Sequence, residues 1–106
     1  DYSDAEFLAT GELAIRTHPS VSGALIVDAI VQNTGVFRQR FPDVRLRFVN
    51  PKVTLVVART FSPGDYLAGE FRGLRYIPAN TEVRFALEIV DPGEMAVGYD
   101  LSLVVR

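Results

Sequence analysis

The chain has 106 residues, of which 48% are hydrophobic and 23% are charged, and its net charge is −2 at pH 7. This length fits one domain with one core, and the composition excludes an intrinsically disordered protein. The absence of cysteine excludes disulfides and cysteine-ligated metal sites, and no apolar run in the sequence is long enough to span a membrane.

The charges are unevenly distributed along the sequence. Between Val36 and Arg84 there are nine basic and four acidic residues, whereas the two flanking segments hold two basic and nine acidic residues. Ten of the eleven basic residues are arginine, whose planar guanidinium group binds carboxylates and other anions in a bidentate manner. The middle of the chain is therefore the part that could recognise an anion or an acidic partner.

The N-terminal part begins with an acidic, weakly patterned segment, residues 1–11, which we interpret as a leader or a frayed segment. Because the first residue is aspartate rather than methionine, we expect a processed or excised fragment with its targeting signals upstream. Leu13 to Thr17 alternate between apolar and polar residues and predict a short edge strand, which His18-Pro19 ends.

The stretch from Leu25 to Asn33 predicts a long strand with one buried face and one outer face. Leu25, Val27 and the residues at every second position after them form the predicted core face. Ile26 and Ile30 lie on the outer face, where they need cover from the N-terminal strand or from a partner. In the turn that follows, Gly35 is predicted to supply a positive φ.

Alternating apolar residues then predict a β-hairpin. Its strands are Val44–Val49 and Val53–Ala58, with a turn at residues 50–52. Just before the hairpin, Phe37 and Phe41 are spaced so that one or both could close the end of the core.

A long irregular connection from Arg59 to Pro78 follows, rich in aromatics, glycine and proline, with one helical turn predicted near Pro63 to Leu67. Its aromatics fit core capping better than a ligand groove. Two further alternating strands are predicted, at residues 82–89 and 99–106. The crossings at residues 34–43 and 91–97 are long enough to change sheets. The fold class predicted is thus all-β, an immunoglobulin-like β-sandwich of about six to seven strands in one domain, residues 1–106.

Several short motifs together resemble a Gram-negative bacterial domain of unknown function, usually found C-terminal to a zinc ribbon and a single membrane helix. They are Leu25-x-Val27-x-Ala29-x-Val31-x-Asn33, Phe41-Pro42, Val57-Ala58-Arg59, Phe61-Ser62-Pro63-Gly64-Asp65-Tyr66-Leu67, Asp91-Pro92-Gly93 and Ala96-Val97-Gly98-Tyr99. The family-like core covers residues 24–105. Two departures are Ala29, where the family tends to have glycine, and Thr60, where it often has a second arginine. The resemblance implies an immunoglobulin-like sandwich on the periplasmic side of the inner membrane with its anchor missing, and no known activity.

The residues that could carry chemistry favour structural roles. His18 is the only histidine, and it stands at a strand end that we expect to be exposed, so a triad or a metal site is not predicted. Asp91, Glu94 and Asp100 could contribute oxygens to calcium, but a capped turn explains them more simply. Asp28, Glu82 and Glu88 are expected to pair with arginine on outer strand faces. We therefore predict no catalytic residue, no cofactor, no metal and no enzyme activity.

Arg45 and Arg47 share the outer face of one predicted strand and have two interpretations. They could form an anion site, or they could pair with a carboxylate of a neighbouring strand, with Asp100 placed opposite them in an immunoglobulin-like order. The second interpretation is favoured.

The sequence thus favours a non-enzymatic, extracytoplasmic protein-interaction or structural module of a membrane-anchored protein. The alternative is a small-ligand or anion-binding module that uses Arg45 and Arg47. The expected partner is a protein. Nucleic acid is not expected, membrane contact is expected only through the missing N-terminal anchor, and a homodimer is left open. The candidate contact residues are Ile26, Ile30, Arg45, Arg47, Arg59 and Tyr66.

Overall fold

The computed structural model describes residues 7–52 and 54–105, and within them the chain forms two three-stranded antiparallel sheets and one two-stranded ribbon. In chain order the strands are β1 (Leu8–Thr17), β2 (Ala24–Asn33), β3 (Gln39–Arg40), β4 (Asp43–Val49), β5 (Leu55–Phe61), β6 (Tyr76–Ile77), β7 (Thr81–Val90) and β8 (Gly98–Val104). A single helical turn, α1 (Pro63–Tyr66), and a short 3-10 helix, Gly69–Phe71, lie between β5 and β6.

The strand order confirms the predicted all-β sandwich. One sheet has the order β1-β2-β7, the other has the order β5-β4-β8, and the ribbon pairs β3 with β6. The chain changes sheets between β2 and β4 and between β7 and β8, where the sequence predicted long crossings. Each sheet combines strands from both halves of the chain, and their buried faces meet in one core, as in a β-sandwich.

The core forms between the two sheets from alternating residues of each strand. In β2 the predicted core face is buried, with Val27 and Val31 fully enclosed. It packs with alternating residues of β4 and β7, which have the matching period of two. Side chains from the connection, Phe61, Tyr66, Leu67 and Ile77, complete this core, so the prediction that the connection caps the sandwich is confirmed.

Phe41, rather than Phe37, closes the end of the core. Phe41 is 1% exposed and is one of the largest fully buried side chains, whereas Phe37 is 56% exposed. The predicted helical turn after β5 is also confirmed as α1, which begins with Pro63 and carries Asp65 in its first turn.

The prediction that Gly35 supplies a positive φ is wrong. Positive φ occurs at other residues of the described chain, among them Gly23 and Asn80, and not at Gly35. A Cβ at position 35 would lie 3.0 Å from a ring carbon of Phe7 and 3.3 Å from the Asn33 side-chain oxygen. Glycine is needed there because the turn is packed against its neighbours, and not because of its backbone conformation.

β1 begins earlier than the sequence predicted. Residues 8–11, assigned to the leader, pair with β2, with Leu8 opposite Asn33 and Gly11 opposite Ile30. Residues 1–6 of the predicted leader and Val53, the predicted start of the second hairpin strand, lie outside the described residues. No helix in the described part of the chain has both the length and the apolar character needed to cross a membrane.

Candidate functional site

The sandwich is closed along one side and open along the other. On the closed side, β1 and β8 contact each other across the two sheets. On the open side, β5 and β7 each have a strand neighbour on one edge only, and α1 contacts both strands. The remainder of this side is a groove, which we call the β5–β7 groove.

One end of the groove is apolar because the core reaches the surface there. The pairing of Phe48 with Val57 and of Leu46 with Arg59 places both β5 residues on the core-facing side of their sheet. β5 is an edge strand, so Val57 remains 42% exposed instead of being enclosed. A cavity of about 150 Å³ at this end is lined by Leu46, Phe48, Val57, Arg59, Ile89 and Val90.

The rim of this apolar end is unusually hydrophobic for an exposed surface. On β5, Leu55 and Val56 are 51% and 40% exposed, and on β7, Val90 is 81% exposed. A register shift between Phe48 and Val49 leaves Val56 as an extra residue, a β-bulge that bends the start of the strand. Adjacent exposed apolar residues on an edge strand are a common feature of surfaces that another chain covers.

The other end of the groove is polar and carries charges of both signs. A cavity of about 430 Å³ is lined by Arg59, Phe61, Asp65, Ala86, Leu87 and Glu88. The guanidinium carbon of Arg59 lies 4.6 Å from the centre of the Phe61 ring, a cation–π contact that holds the side chain along the groove. The Ser62 backbone N–H and hydroxyl donate to the Asp65 carboxylate at 2.9 and 3.1 Å. These bonds, with a smaller contribution from Arg59, lower the pKa of Asp65.

Tyr66 is a structural residue, and its prediction as a contact residue is wrong. The side chain is 2% exposed and its hydroxyl donates to the Pro42 carbonyl at 2.7 Å. Its ring lies 4.7 Å from the ring of Phe85. A tyrosine next to proline and glycine in a long connection cannot be distinguished from a surface residue by periodicity, because the connection has none.

The prediction that Ile26 and Ile30 form an exposed face is also wrong, since they are 9% and 5% exposed. Ile26 lies between Arg16 of β1 and Glu88 of β7. Arg16 is held by Asp28 at 2.8 Å and Glu88 by His18 at 2.6 Å, so both long side chains stay over the sheet.

Ile30 is buried for a different reason. It is paired with Gly11, where a Cβ would lie 3.3 Å from the end of the isoleucine side chain. Because Gly11 has no side chain, the Ile30 side chain has room to pack against β1. The N-terminal strand therefore supplies the cover that the outer face needs.

Arg47 is paired as the sequence predicted. It lies opposite Asp100 in β8 and donates to both carboxylate oxygens, at 2.9 and 2.6 Å. Arg45 lies between Thr60 and Ser102, is exposed, and makes no ion pair among the described residues. The bidentate pair uses one of the two arginines on which an anion site depended, so no structural observation favours that alternative.

The Arg47–Asp100 pair leads to a prediction about the pKa of Asp100. Hydrogen bonds from Arg47, and smaller effects of its charge and of Arg45, lower the pKa of Asp100. Because the folded-state pKa lies below the unfolded one, this pair stabilises the fold above the unfolded-state pKa, and the stabilisation is lost as pH falls through the folded-state pKa. In a carboxyl-carbon NMR titration, Arg47→Gln should return the pKa of Asp100 towards its usual value. Arg45→Gln, a matched control, should change it less. An unchanged pKa in Arg47→Gln would contradict the assignment.

The other candidate residues from the sequence serve local structure. His18 is largely buried, and its Nδ1 accepts hydrogen bonds from the backbone N–H groups of Ser20 and Val21, so Nε2 carries the proton shared with Glu88. Asp91 accepts from the Gly93 N–H at 2.9 Å, as expected for a capped turn. Asp100 is bound by Arg47, and Asp91, Glu94 and Asp100 form no cluster that could hold a metal within the part of the chain that the structure describes.

Sequence reasoning missed Val57 and Val90 as candidate contact residues. Alternation places Val57 on a buried face, and only the strand order shows that this face is at an open edge. The available signal was the unbroken apolar run Leu55–Val57, which departs from strict alternation in the hairpin.

Two comparisons with known proteins found nothing, and one found a family. Neither the curated proteins nor the solved structures include a significant match to the chain. A family model described as a protein of unknown function, DUF3426, matches residues 5–103. This match covers β1 to β7 and β8 as far as Leu103, and it includes the β1 strand that precedes the motifs on which the resemblance rests. The chain therefore belongs to the DUF3426 family of proteins of unknown function.

Proposed function

We propose that this domain is a non-enzymatic protein-interaction module, and that its β5–β7 groove binds an extended, largely apolar segment of another protein. The observation that carries the proposal is the open side of the sandwich, where Val57 and Val90 are exposed next to the buried Leu46 and Phe48. Location on the periplasmic side of an inner membrane, as part of a membrane-anchored protein, belongs to the same proposal and is supported by the resemblance alone.

The backbone of the groove suits an extended occupant. β5 and β7 each pair with one strand only, so the second edge of each has backbone donors and acceptors that an added strand could use. The apolar end would take hydrophobic side chains of that segment. The polar end, where Arg59, Asp65 and Glu88 bring both signs of charge together, would take polar side chains or the segment's backbone.

A second copy of the chain fits the groove less well. β5 presents Arg59 as its one charged residue, so two β5 edges packed against each other would bring two arginines into one small groove. A different protein has no such repulsion.

The test is site-specific photo-crosslinking in cells that produce the full-length protein. A photoreactive benzoylphenylalanine replaces Val57 or Val90 in the groove, or Val104 as a control. Val104 is 43% exposed, close to the 42% of Val57, but lies opposite Asp43 on the outer face of the β5-β4-β8 sheet. We expect one discrete adduct with a different protein from positions 57 and 90 and none from position 104.

Two results would overturn the proposal. Equal adducts from all three positions would show random collision, and an adduct with a second copy of the chain would show a homodimer. To confirm that the same groove is used, the adduct from position 90 should disappear when Val57→Asp is added, while thermal unfolding shows that this variant is still folded.

A further inference from the structure

The β3–β6 ribbon has one buried face and one basic face. Gln39 and Ile77 are 2% and 0% exposed and face the core. Arg40 lies opposite Tyr76, and the guanidinium carbon of Arg38 is 4.2 Å from the centre of the same ring. Because side chains alternate along a strand, Arg38, Arg40 and Tyr76 share the outer face.

The ribbon is held firmly at its base. The Asn33 side-chain nitrogen donates to the carbonyls of Phe37, Ile77 and Pro78, at 2.8, 3.2 and 3.2 Å. The Phe41 N–H donates to the Arg75 carbonyl at 3.0 Å, which extends the pairing by one step. The positions of the basic residues are thus fixed by the fold, and the surface needs little ordering before it binds.

The arginines of this region are not neutralised within the molecule. Arg38, Arg40, Arg72 and Arg75 are exposed, and none of them forms an ion pair with any carboxylate that the structure describes. On the outer faces of the two sheets, Arg16, Arg47 and Arg84 are each paired with a carboxylate, and Arg45 is a single exposed arginine without one among the residues described. Arg38 and Arg40 are thus unbalanced cations on one face, and the exposed Arg72 and Arg75 in the segment before β6 add to the positive charge, which favours an anionic partner.

Exposed apolar residues are close in sequence to the same arginines. Val36 is 76% exposed and lies two positions before Arg38, and Leu74 is 45% exposed and lies next to Arg75. Phe37, between Val36 and Arg38, is 56% exposed. Each of the two segments thus has an exposed apolar side chain within two positions of an exposed arginine.

We infer that this basic ribbon, residues 36–40 and 72–76, binds the headgroup region of a membrane that contains anionic lipids. Arginines would contact lipid phosphates, and Val36 and Leu74 would enter the boundary between headgroups and acyl chains. A nucleic acid could contact the arginines and the aromatic ring, but it has no acyl-chain region into which the two exposed aliphatic side chains could insert. The inference is independent of the proposed function, because the ribbon and the β5–β7 groove share no residue.

The test is sedimentation of the 106-residue chain with lipid vesicles. We expect binding to vesicles of phosphatidylcholine with phosphatidylglycerol, little binding to phosphatidylcholine alone, and weaker binding as salt is raised. Each arginine near an anionic surface contributes about fivefold to the binding constant, so Arg38→Glu/Arg40→Glu should weaken binding about 25-fold or more. Val36→Asp should weaken it without changing the number of arginines.

The matched control is Arg45→Glu/Lys52→Glu, which makes the same change in net charge away from the ribbon and should leave vesicle binding unchanged. Circular dichroism would show whether each variant is folded. If the glutamate variant is not folded, Arg38→Lys/Arg40→Lys is used in its place, because it keeps both positive charges. Equal loss in the ribbon and control variants would overturn the inference, because it would show a response to net charge only. Tighter binding of a single-stranded oligonucleotide through the same arginines would overturn it in favour of nucleic acid.

Discussion

Asn33→Asp is expected to lower the free energy of unfolding by about 3 kcal/mol or more, because it removes a buried donor on which three carbonyls depend. The side chain is 1% exposed, and its nitrogen donates to the carbonyls of Phe37, Ile77 and Pro78. Its oxygen accepts from the Gly35 N–H at 3.0 Å, and aspartate can keep that one bond. Urea denaturation of both proteins measures the change.

Gln32→Glu is the matched control for this substitution. It makes the same amide-to-carboxylate change one residue earlier, on the outer face of β2, opposite Glu82. We expect a cost below about 1 kcal/mol, from the nearby like charge only. Equal losses in the two variants would mean that Asn33 does not hold the β3–β6 ribbon to the sandwich.

Phe41→Ala is expected to cost about 3–5 kcal/mol, because a fully enclosed aromatic ring is replaced by a cavity at the end of the core. Phe37→Ala, four residues earlier, removes the same atoms from a side chain that is 56% exposed and should cost less than about 1 kcal/mol. Thermal and urea unfolding would measure both. A loss of similar size in the two variants would contradict the placement of Phe41 alone in the core.

The parts of the fold that the sequence predicts well are those with a strict period of two. Val27 and Val31 in β2 and Val44 and Leu46 in β4 are buried as their alternation indicates. The pairing of Arg47 with Asp100 followed from the strand order of a sandwich, because a charged residue on an outer face usually finds its partner on the next strand.

The errors at Ile26, Ile30 and Val57 share one physical origin, which is that alternation gives a face but not what lies over it. Ile26 and Ile30 are on the outer face as predicted, but ion-paired side chains and the space above Gly11 bury them. Val57 is on the core-facing side as predicted, but the sandwich is open there. Whether a face is covered depends on neighbouring strands, and those are set by the fold rather than by local sequence.

The β3–β6 ribbon could not be predicted by pattern at all. Each of its strands has two residues, too few to show any period, and they are far apart in the chain. The signal available in the sequence was the excess of arginine in the middle of the chain. It indicated an anion-binding region and was assigned to Arg45 and Arg47, one of which is paired within the molecule.

The β5–β7 groove and the basic ribbon, which we propose as contact surfaces, are separate and differ in chemistry. The groove is apolar at one end and of mixed charge at the other, which suits a protein segment. The ribbon is basic with exposed aliphatic residues, which suits an anionic surface. A module that holds a partner protein close to a membrane would need one of each.

The most direct test of the groove is the affinity of the partner segment recovered from the Val57 crosslink, measured as a synthetic peptide by calorimetry. We expect Val57→Asp to weaken binding by about tenfold or more, because a carboxylate is left in an apolar groove. Val104→Asp, with nearly the same exposure but on the outer face of the same sheet, at its opposite edge, should bind like the unmodified chain. Equal affinity for the Val57→Asp and Val104→Asp variants would contradict the assignment of this side of the sandwich as the protein-binding site.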